Sequence, residues 1–226
     1  MKKGPSHIAI ILDGNRRYAK KNSLNPGEGH RKGAEKIENI LDWCYDLGVM
    51  ELTLYCFSMQ NFERPKKEVK ILLDLFRSQI RKLEKDKRVD GYGINIKFIG
   101  RLELFPGSLQ DDMERVMKNT CKNDKFKLNL AMGYGGREEI VDAVNRIIGK
   151  RAKKVNQKSI KKNLYLADEP ELVIRTGGDY RVSNFLIWQS YYSEWYFTKK
   201  LWPEFSKADL KKAIQEYRSR SRRFGR

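Results

Sequence analysis

The stretch "HIAIILDGNRR", residues 7–17, decides the fold. An unbroken apolar run ends in Asp13 and Gly14 and passes at once into Asn15, Arg16 and Arg17. A strand with one wet face alternates polar and apolar residues. A short continuous run belongs to a strand covered on both faces, as in parallel sheets. Four more stretches have this form: "ELTLYCFS" (51–58), "INIKFIG" (94–100), "KLNLAMG" (127–133) and "ELVIRTG" (171–177).

Helical patterns lie between these runs. Residues 30–47 carry Ala34, Ile37, Ile40, Leu41, Cys44 and Leu47 at helical spacing and close before Gly48. Pro65 opens a helix that extends to about residue 88. Ser108 caps 109–121, residues 137–149 repeat the stripe, and Ser206 with Asp209 caps a last helix to about residue 220. Strand–helix repetition predicts an α/β fold, a single domain over 1–226 with a central, mostly parallel sheet flanked by helices. A chain of 226 residues buries a substantial core without covalent staples. The lysine-rich segment 149–163 reads as a surface loop or exposed helix, and "YRSRSRRFGR" (217–226) as a tail.

With 47 Lys and Arg against 29 Asp and Glu, the formal charge is +18. Such a balance suits a polyanionic partner: nucleic acid, an anionic membrane face or a phosphorylated substrate. Many of these lysines also read as the solvated faces of helices. Cys44, Cys56 and Cys121 are odd in number and widely spaced, which fits a reduced, cytoplasmic setting. The apolar run at the N-terminus is too short for a signal peptide, and no stretch reaches membrane-spanning length. Two histidines and no cysteine pair disfavour a zinc site. There is no GxxxxGK[ST], no GxGxxG after a strand and no GxSxG elbow.

In an open parallel sheet, ligands bind beyond the carboxyl ends of the strands. The five runs end in Asp13-Gly14-Asn15-Arg16-Arg17, in Ser58-Met59-Gln60-Asn61 with Arg64 after it, in Gly100-Arg101, in Gly133-Tyr134-Gly135-Gly136-Arg137, and in Arg175-Thr176-Gly177-Gly178-Asp179. One such turn is ordinary punctuation. Five at one end of a sheet point to phosphate or diphosphate, which glycine-freed amides and bidentate arginines bind. Asp13 is either a helix N-cap or a metal or phosphate ligand. His30 opens a helix, as an exposed neutral residue or a functional donor, and His7 is structural. The aromatic set Trp188, Tyr191, Tyr192, Trp195, Tyr196, Phe197 and Trp202 reads as core and dimer interface rather than as a base-stacking platform. Glu194 within that apolar run needs a cation, either a metal or an arginine.

The blocks "HIAIILDGNRRYA", "GHRKGAEKI", "LTLYCFSMQNFERPKKEV", "GYGGREEIVDA" and "LVIRTGGDYRVSNFLIWQSYYSEWYFTKKLWPEF", with the terminal "RRFG", are collinear over nearly the whole chain. Together they resemble the cis-prenyltransferases, the undecaprenyl diphosphate synthase-like enzymes. The resemblance implies a homodimer with a hydrophobic tunnel, and Mg²⁺-dependent addition of isopentenyl diphosphate to an allylic diphosphate such as farnesyl or geranylgeranyl diphosphate. It makes Asp13 the catalytic, Mg²⁺-ligating aspartate, and Gly14, Asn15 and Arg17, beside Arg16 and Tyr18, the allylic diphosphate site. His30, Ser58 and Asn61 become a polar relay, with Arg64 following it. Arg175, Arg181 and Ser183 become the isopentenyl diphosphate site. Glu194 is implied as an interface residue tied to the metal, and Arg223 with Gly225 as a tail reaching the neighbouring subunit.

The chain departs from that pattern at Pro26, where many members carry a phosphate-binding arginine, and at Tyr18, Met59, Gln60 and Gly133. Arg16 or a nearby lysine would then replace the missing cation. Primer and product length are open, although small residues such as Cys56 favour a medium to long chain. Peripheral membrane contact during product release follows from the product's hydrophobicity. Two other readings are a non-catalytic subunit of a heteromeric synthase and a basic nucleic-acid-binding module.

Overall fold

A computed structural model describes residues 3–220; residues 1, 2 and 221–226 lie outside the description. All five expected strands form. They are β1 (His7–Ile11), β2 (Glu51–Ser58), β3 (Ile94–Ile99), β4 (Phe126–Tyr134) and β5 (Leu172–Arg175). A sixth, β6 (Glu194–Phe197), completes a sheet of order β3-β4-β2-β1-β5-β6. Every pairing is parallel. This agrees with the apolar runs: Ile8 and Ile10 point to one face, Ala9 and Ile11 to the other, and all are buried.

The larger core joins Ile8, Ile10, Leu52, Leu54 and Ile174 mainly to side chains of four long helices, with Val89 added from a short one. The four are α2 (Pro26–Asp46), α3 (Lys66–Glu84), α5 (Gly107–Thr120) and α8 (Lys207–Ser219). The smaller core, on the opposite face, holds Ala131, Val173, Phe185 and Leu186. There α6 (Gly136–Gly149) is tied down by buried Glu139, which accepts from Tyr134 Oη, Gln189 Nε2 and the Leu166 amide.

Several helix limits differ from the sequence reading, and at α2 a side-chain cap rather than apolar spacing sets the start. α2 starts at Pro26, where Asn25 and Glu28 form a reciprocal capping box with proline at N1, so His30 sits in its second turn rather than opening it. The helix after Pro65 stops at Glu84. Asp86 then caps α4 (Lys87–Gly91) through the Arg88 amide. Ser108 lies inside α5 and does not cap it; its hydroxyl accepts from Arg77. The lysine-rich segment contains α7 (Gln157–Asn163), capped by Asn156 with Ser159. α1 (Asn15–Lys21) directly follows the Asp13 turn. Ser206 and Asp209 box α8 as read, but Tyr217 is buried and donates to Glu171, so residue 217 belongs to the fold and not to a tail.

His7 is structural. Its Nε2 lies 2.8 Å from Thr53 Oγ1, and Asn129 Nδ2 donates to the same hydroxyl and to Glu51. Burial drives the imidazole down to about 4, overriding the pull of Asp168. Below pH 6.5 the unfolded chain takes up a proton that the folded chain refuses until about pH 4. His7 therefore lowers stability as pH falls through that window, by up to about 3 kcal/mol. Urea unfolding between pH 7 and 4 should show this slope in the wild type and a shallower one in His7→Gln; equal slopes would refute it.

Candidate active site

From β1 the chain steps outward to β2, and later returns to β1's other side through β5 and β6. The order reverses between β1 and β5, where open α/β sheets bind ligands. In this register Ile11 lies level with Arg175, so the turns after both strands converge. Thr176 Oγ1 donates to the Asp13 carbonyl at 2.7 Å, and the Trp202 amide donates to it at 3.0 Å.

The Asp13 carboxylate is gripped from two sides. Arg17 donates to Oδ1 and Arg175 to Oδ2, each at 2.9 Å. Asp179 lies 3.3 Å from Arg17 and 3.0 Å from Arg181. Arg175 is 3% exposed, and it also donates to Ser183 Oγ at 2.6 Å and to the Arg181 carbonyl. Burial alone would raise the Asp13 carboxyl; the hydrogen bonds from Arg175 and Arg17 win and hold it below its ordinary range. Gly177 has φ 90°, a left-handed conformation that would strain any residue with a side chain.

A second polar group faces this clamp. Glu68 gathers Arg64 at 3.0 Å, His30 at 3.7 Å and Arg16 at 3.9 Å. His30 Nε2 is buried with no hydrogen-bond partner among the described residues. Burial, then the Arg64 charge, lower its pKa, so the ring is neutral at pH 7. Asn61 Oδ1 accepts from the Ser58 amide at 3.0 Å. Asp13, Asn15, His30, Ser58, Asn61, Arg64, Arg175 and Ser183 all line one cavity of about 330 Å³. Beyond this polar mouth its walls turn apolar, with Cys56, Leu72, Phe76 and Met132 among them.

A charged mouth leading into an apolar bore suits a ligand with a phosphorylated head and a hydrocarbon tail. The family model described as "Putative undecaprenyl diphosphate synthase" matches residues 11–225. The chain belongs to the undecaprenyl diphosphate synthase family, and it is a prenyltransferase. It is 47% identical to a tritrans,polycis-undecaprenyl-diphosphate synthase (geranylgeranyl-diphosphate specific) of Pyrococcus abyssi, over 98% of this chain and 87% of that one. It is 43% identical to an isoprenyl transferase of Thermus thermophilus, over 98% and 89%. Its fold is similar to crystalline lavandulyl diphosphate synthase from Lavandula x intermedia in complex with dimethylallyl diphosphate, at a TM-score of 0.90 and 34% identity, covering 99% of both chains.

Not every expected site residue of this prenyltransferase reaches the cavity. Gly14 stands at the N-cap of α1, and Arg17 and Arg181 act through the two carboxylates beside the mouth. Arg16 is largely exposed, and Tyr18 lies on α1 outside the lining. Pro26 serves as N1 of α2, a helix-starting role instead of an anion-binding one. Gly133 adopts φ 55°, a left-handed conformation that Asn also tolerates. Arg223 and Gly225 lie outside the described residues.

Glu194 is displaced from the metal role within one chain. It opens β6 level with Leu172 and Ile8, at the amino end of the sheet. Asp13 lies five residues further along, about 16 Å at 3.3 Å per residue. Glu194 instead accepts from Arg220 at 2.8 Å. A metal or an arginine was expected beside it, and within the chain the cation that meets it is Arg220. Asp179 was named in the sequence only as the last residue of the Arg175–Asp179 turn, without a role of its own, and Glu68 was not named as a site residue, since nothing local marks it as a partner of His30.

With only two histidines, NMR titration can separate both rings. His30 should titrate below 6.5, and Arg64→Met should raise it, because the variant removes a neighbouring positive charge and leaves Glu68 in place. An unchanged or lower His30 value in Arg64→Met would contradict this electrostatic account.

Proposed function

We propose that the chain condenses isopentenyl diphosphate repeatedly, in cis, onto an allylic diphosphate and releases diphosphate at each step. Geranylgeranyl diphosphate, the primer named for the Pyrococcus relative, is our first choice of allylic substrate. The carrying observation is the single cavity whose mouth is cationic and whose depth is apolar. In each cycle the allylic carbon–oxygen bond breaks, and the leaving diphosphate keeps the electron pair. The isopentenyl double bond supplies the electrons of the new carbon–carbon bond, and a proton leaves the adjacent carbon.

Arg175, Ser183 and Arg181 would hold the isopentenyl diphosphate, and Asp13, Gly14, Asn15 and Arg17 the allylic one. Preorganised guanidinium groups stabilise charge as it develops on the leaving group, without reorganising at that moment. Neutral His30, whose Nε2 has no hydrogen-bond partner among the described residues, is ready to meet a substrate group, while Asn61 and Ser58 orient the opposite wall. The intact Asp13–Arg17–Arg175 clamp supports a catalytic chain over a non-catalytic partner subunit.

Mg²⁺ fits the donor set. No cluster of three ligating side chains occurs among the described residues, and Asp13 offers a partly exposed carboxylate. That suits an ion shared between one or two carboxylates and substrate phosphates. Once bound, Mg²⁺ would neutralise charge on the departing diphosphate. Any contribution of Glu194 to that ion would have to come from a second copy of the chain. Homodimerisation is supported by the apolar exposure of Val182, Ile187 and Tyr191 on one segment. We place the enzyme in the cytoplasm with peripheral membrane contact. No described helix is long and apolar enough to cross a membrane.

Asp13→Asn retains an oxygen acceptor for Arg175 and should fold, as circular dichroism would show. Incorporation of radiolabelled isopentenyl diphosphate into lipid should fall at least about a hundredfold. Normal incorporation would overturn the assignment. Mass spectrometry of products from a primer panel should show geranylgeranyl diphosphate extended in preference to farnesyl diphosphate; the reverse order would remove it as first choice.

A further inference from the structure

Segment 149–163 carries six lysines and Arg151, with no Asp or Glu. Two of these cations are engaged: Lys161 pairs with Glu169 at 2.6 Å, and Lys150 donates to Asn163 Oδ1 at 2.9 Å. Arg151, Lys153, Lys154, Lys158 and Lys162 are exposed and meet no acid among the described residues. Asp168, the next acid along the chain, is already taken by Lys127. Elsewhere exposed helix faces pair their charges, as Arg115 does with Glu84 and Asp112. Here the charge is left open to an outside partner.

The segment is braced rather than loose. Asn156 and Ser159 cap α7, and the Asn163 carbonyl accepts from Arg146 of α6 at 2.7 Å. Its place follows from the sheet. α6 starts where β4 ends and runs 14 residues, about 21 Å, back towards the amino end of the strands. The chain then re-enters the sheet at the start of β5, where the Glu171 amide donates to His7, the first residue of β1. The open cations therefore project at the amino end, opposite the diphosphate mouth. Two apolar side chains stand in water beside them, Ile148 at 64% exposure and Val155 at 48%.

We propose that this segment, with Ile148, is the surface by which the enzyme docks on an anionic phospholipid membrane. The inference rests in part on the prenyl-elongation reading above, whose product is a lipid. Anionic headgroups attract each nearby lysine, and the attraction fades within a Debye length. Ile148 and Val155 gain by entering the boundary between headgroups and acyl chains, a partner that nucleic acid does not offer. The segment also lacks any aromatic residue on which a base could stack. An enzyme seated this way turns its mouth to water, from which a charged diphosphate arrives. The bore meanwhile deepens along α2 from His30 through Ile37 to Leu41, towards the end that faces the lipid.

The test is co-sedimentation of the full-length enzyme with vesicles of phosphatidylglycerol in phosphatidylcholine, and with phosphatidylcholine alone. Wild type should bind the first, bind the second hardly at all, and release as salt rises. Lys153→Gln with Lys154→Gln should weaken partitioning about twenty-five-fold, about fivefold for each lysine. Lys66→Gln with Lys70→Gln removes the same charge from the start of α3, near the mouth, and should leave partitioning nearly unchanged. Both double variants should extend a primer in vesicle-free solution at the wild-type rate. Equal losses in the two would mean diffuse charge attraction and overturn the surface, as would equal binding to the two kinds of vesicle. Binding to a duplex RNA that outlasts vesicle binding as salt rises would assign the segment to nucleic acid instead. A wild type that extends its primer but ignores vesicles refutes the surface alone. One that sediments as expected but extends nothing refutes the elongation reading alone.

Discussion

The site depends on one buried charge. Arg175 ends β5, an inner strand, with its guanidinium almost wholly out of water, a position that is unfavourable unless several acceptors surround it. Asp13, Ser183 and the Arg181 carbonyl supply them. To do so, the turns after β1 and β5 must close on one another, and the loop from Arg181 must fold back. Ser183 and Asn184 adopt positive φ in that loop. Such backbone strain persists only where the surroundings over-determine it. Asn184 is fixed by the Arg137 amide and by Glu138, which ties the loop to α6.

This arrangement produces function through contrast. Carboxylates and guanidinium groups neutralise one another in the free enzyme, so the mouth holds a set of arginines whose present partners are anions that a diphosphate can replace. A few ångströms deeper the lining is hydrocarbon. α2 and α3 supply both environments: His30 and Glu68 at the mouth, and Ile37, Leu41, Leu72 and Ile80 on the apolar walls. Because the helices run side by side, each successive turn offers a different chemistry at increasing depth.

The strands were legible because burial on both faces leaves an unbroken apolar run, and only parallel sheets commonly demand it. Asp13 and Arg175 were legible because polar residues gathered after such runs must share one end of the sheet, whereas Ser183 was marked only by the family resemblance. β6 was not. Its four residues, Glu-Trp-Tyr-Phe, begin with an acid and lie in an aromatic run that reads equally well as helix, loop or interface. The start of α2 was overlooked for another reason: the capping box at Asn25 and Glu28 lies ahead of the apolar stripe and contributes nothing to its period. Asp86, a cap that splits one expected helix into α3 and α4, was hidden in a charged run that looks like a solvated face.

The sequence by itself determined five of the sheet's six strands, the end at which polar residues collect, and the membership of the family, since all of these follow from local pattern and collinear motifs. Tertiary structure alone decided which charges meet. Arg175 finds Asp13 across 162 positions and Lys82 finds Glu38 across 44. Glu194, for all its place in a matching motif, is carried by parallel register to the amino end of the sheet, where Arg220 meets it. The reason is physical: the apolar period of an element depends only on its own residues, whereas the partner of a charge depends on register, helix direction and loop closure, which exist only once the chain has packed.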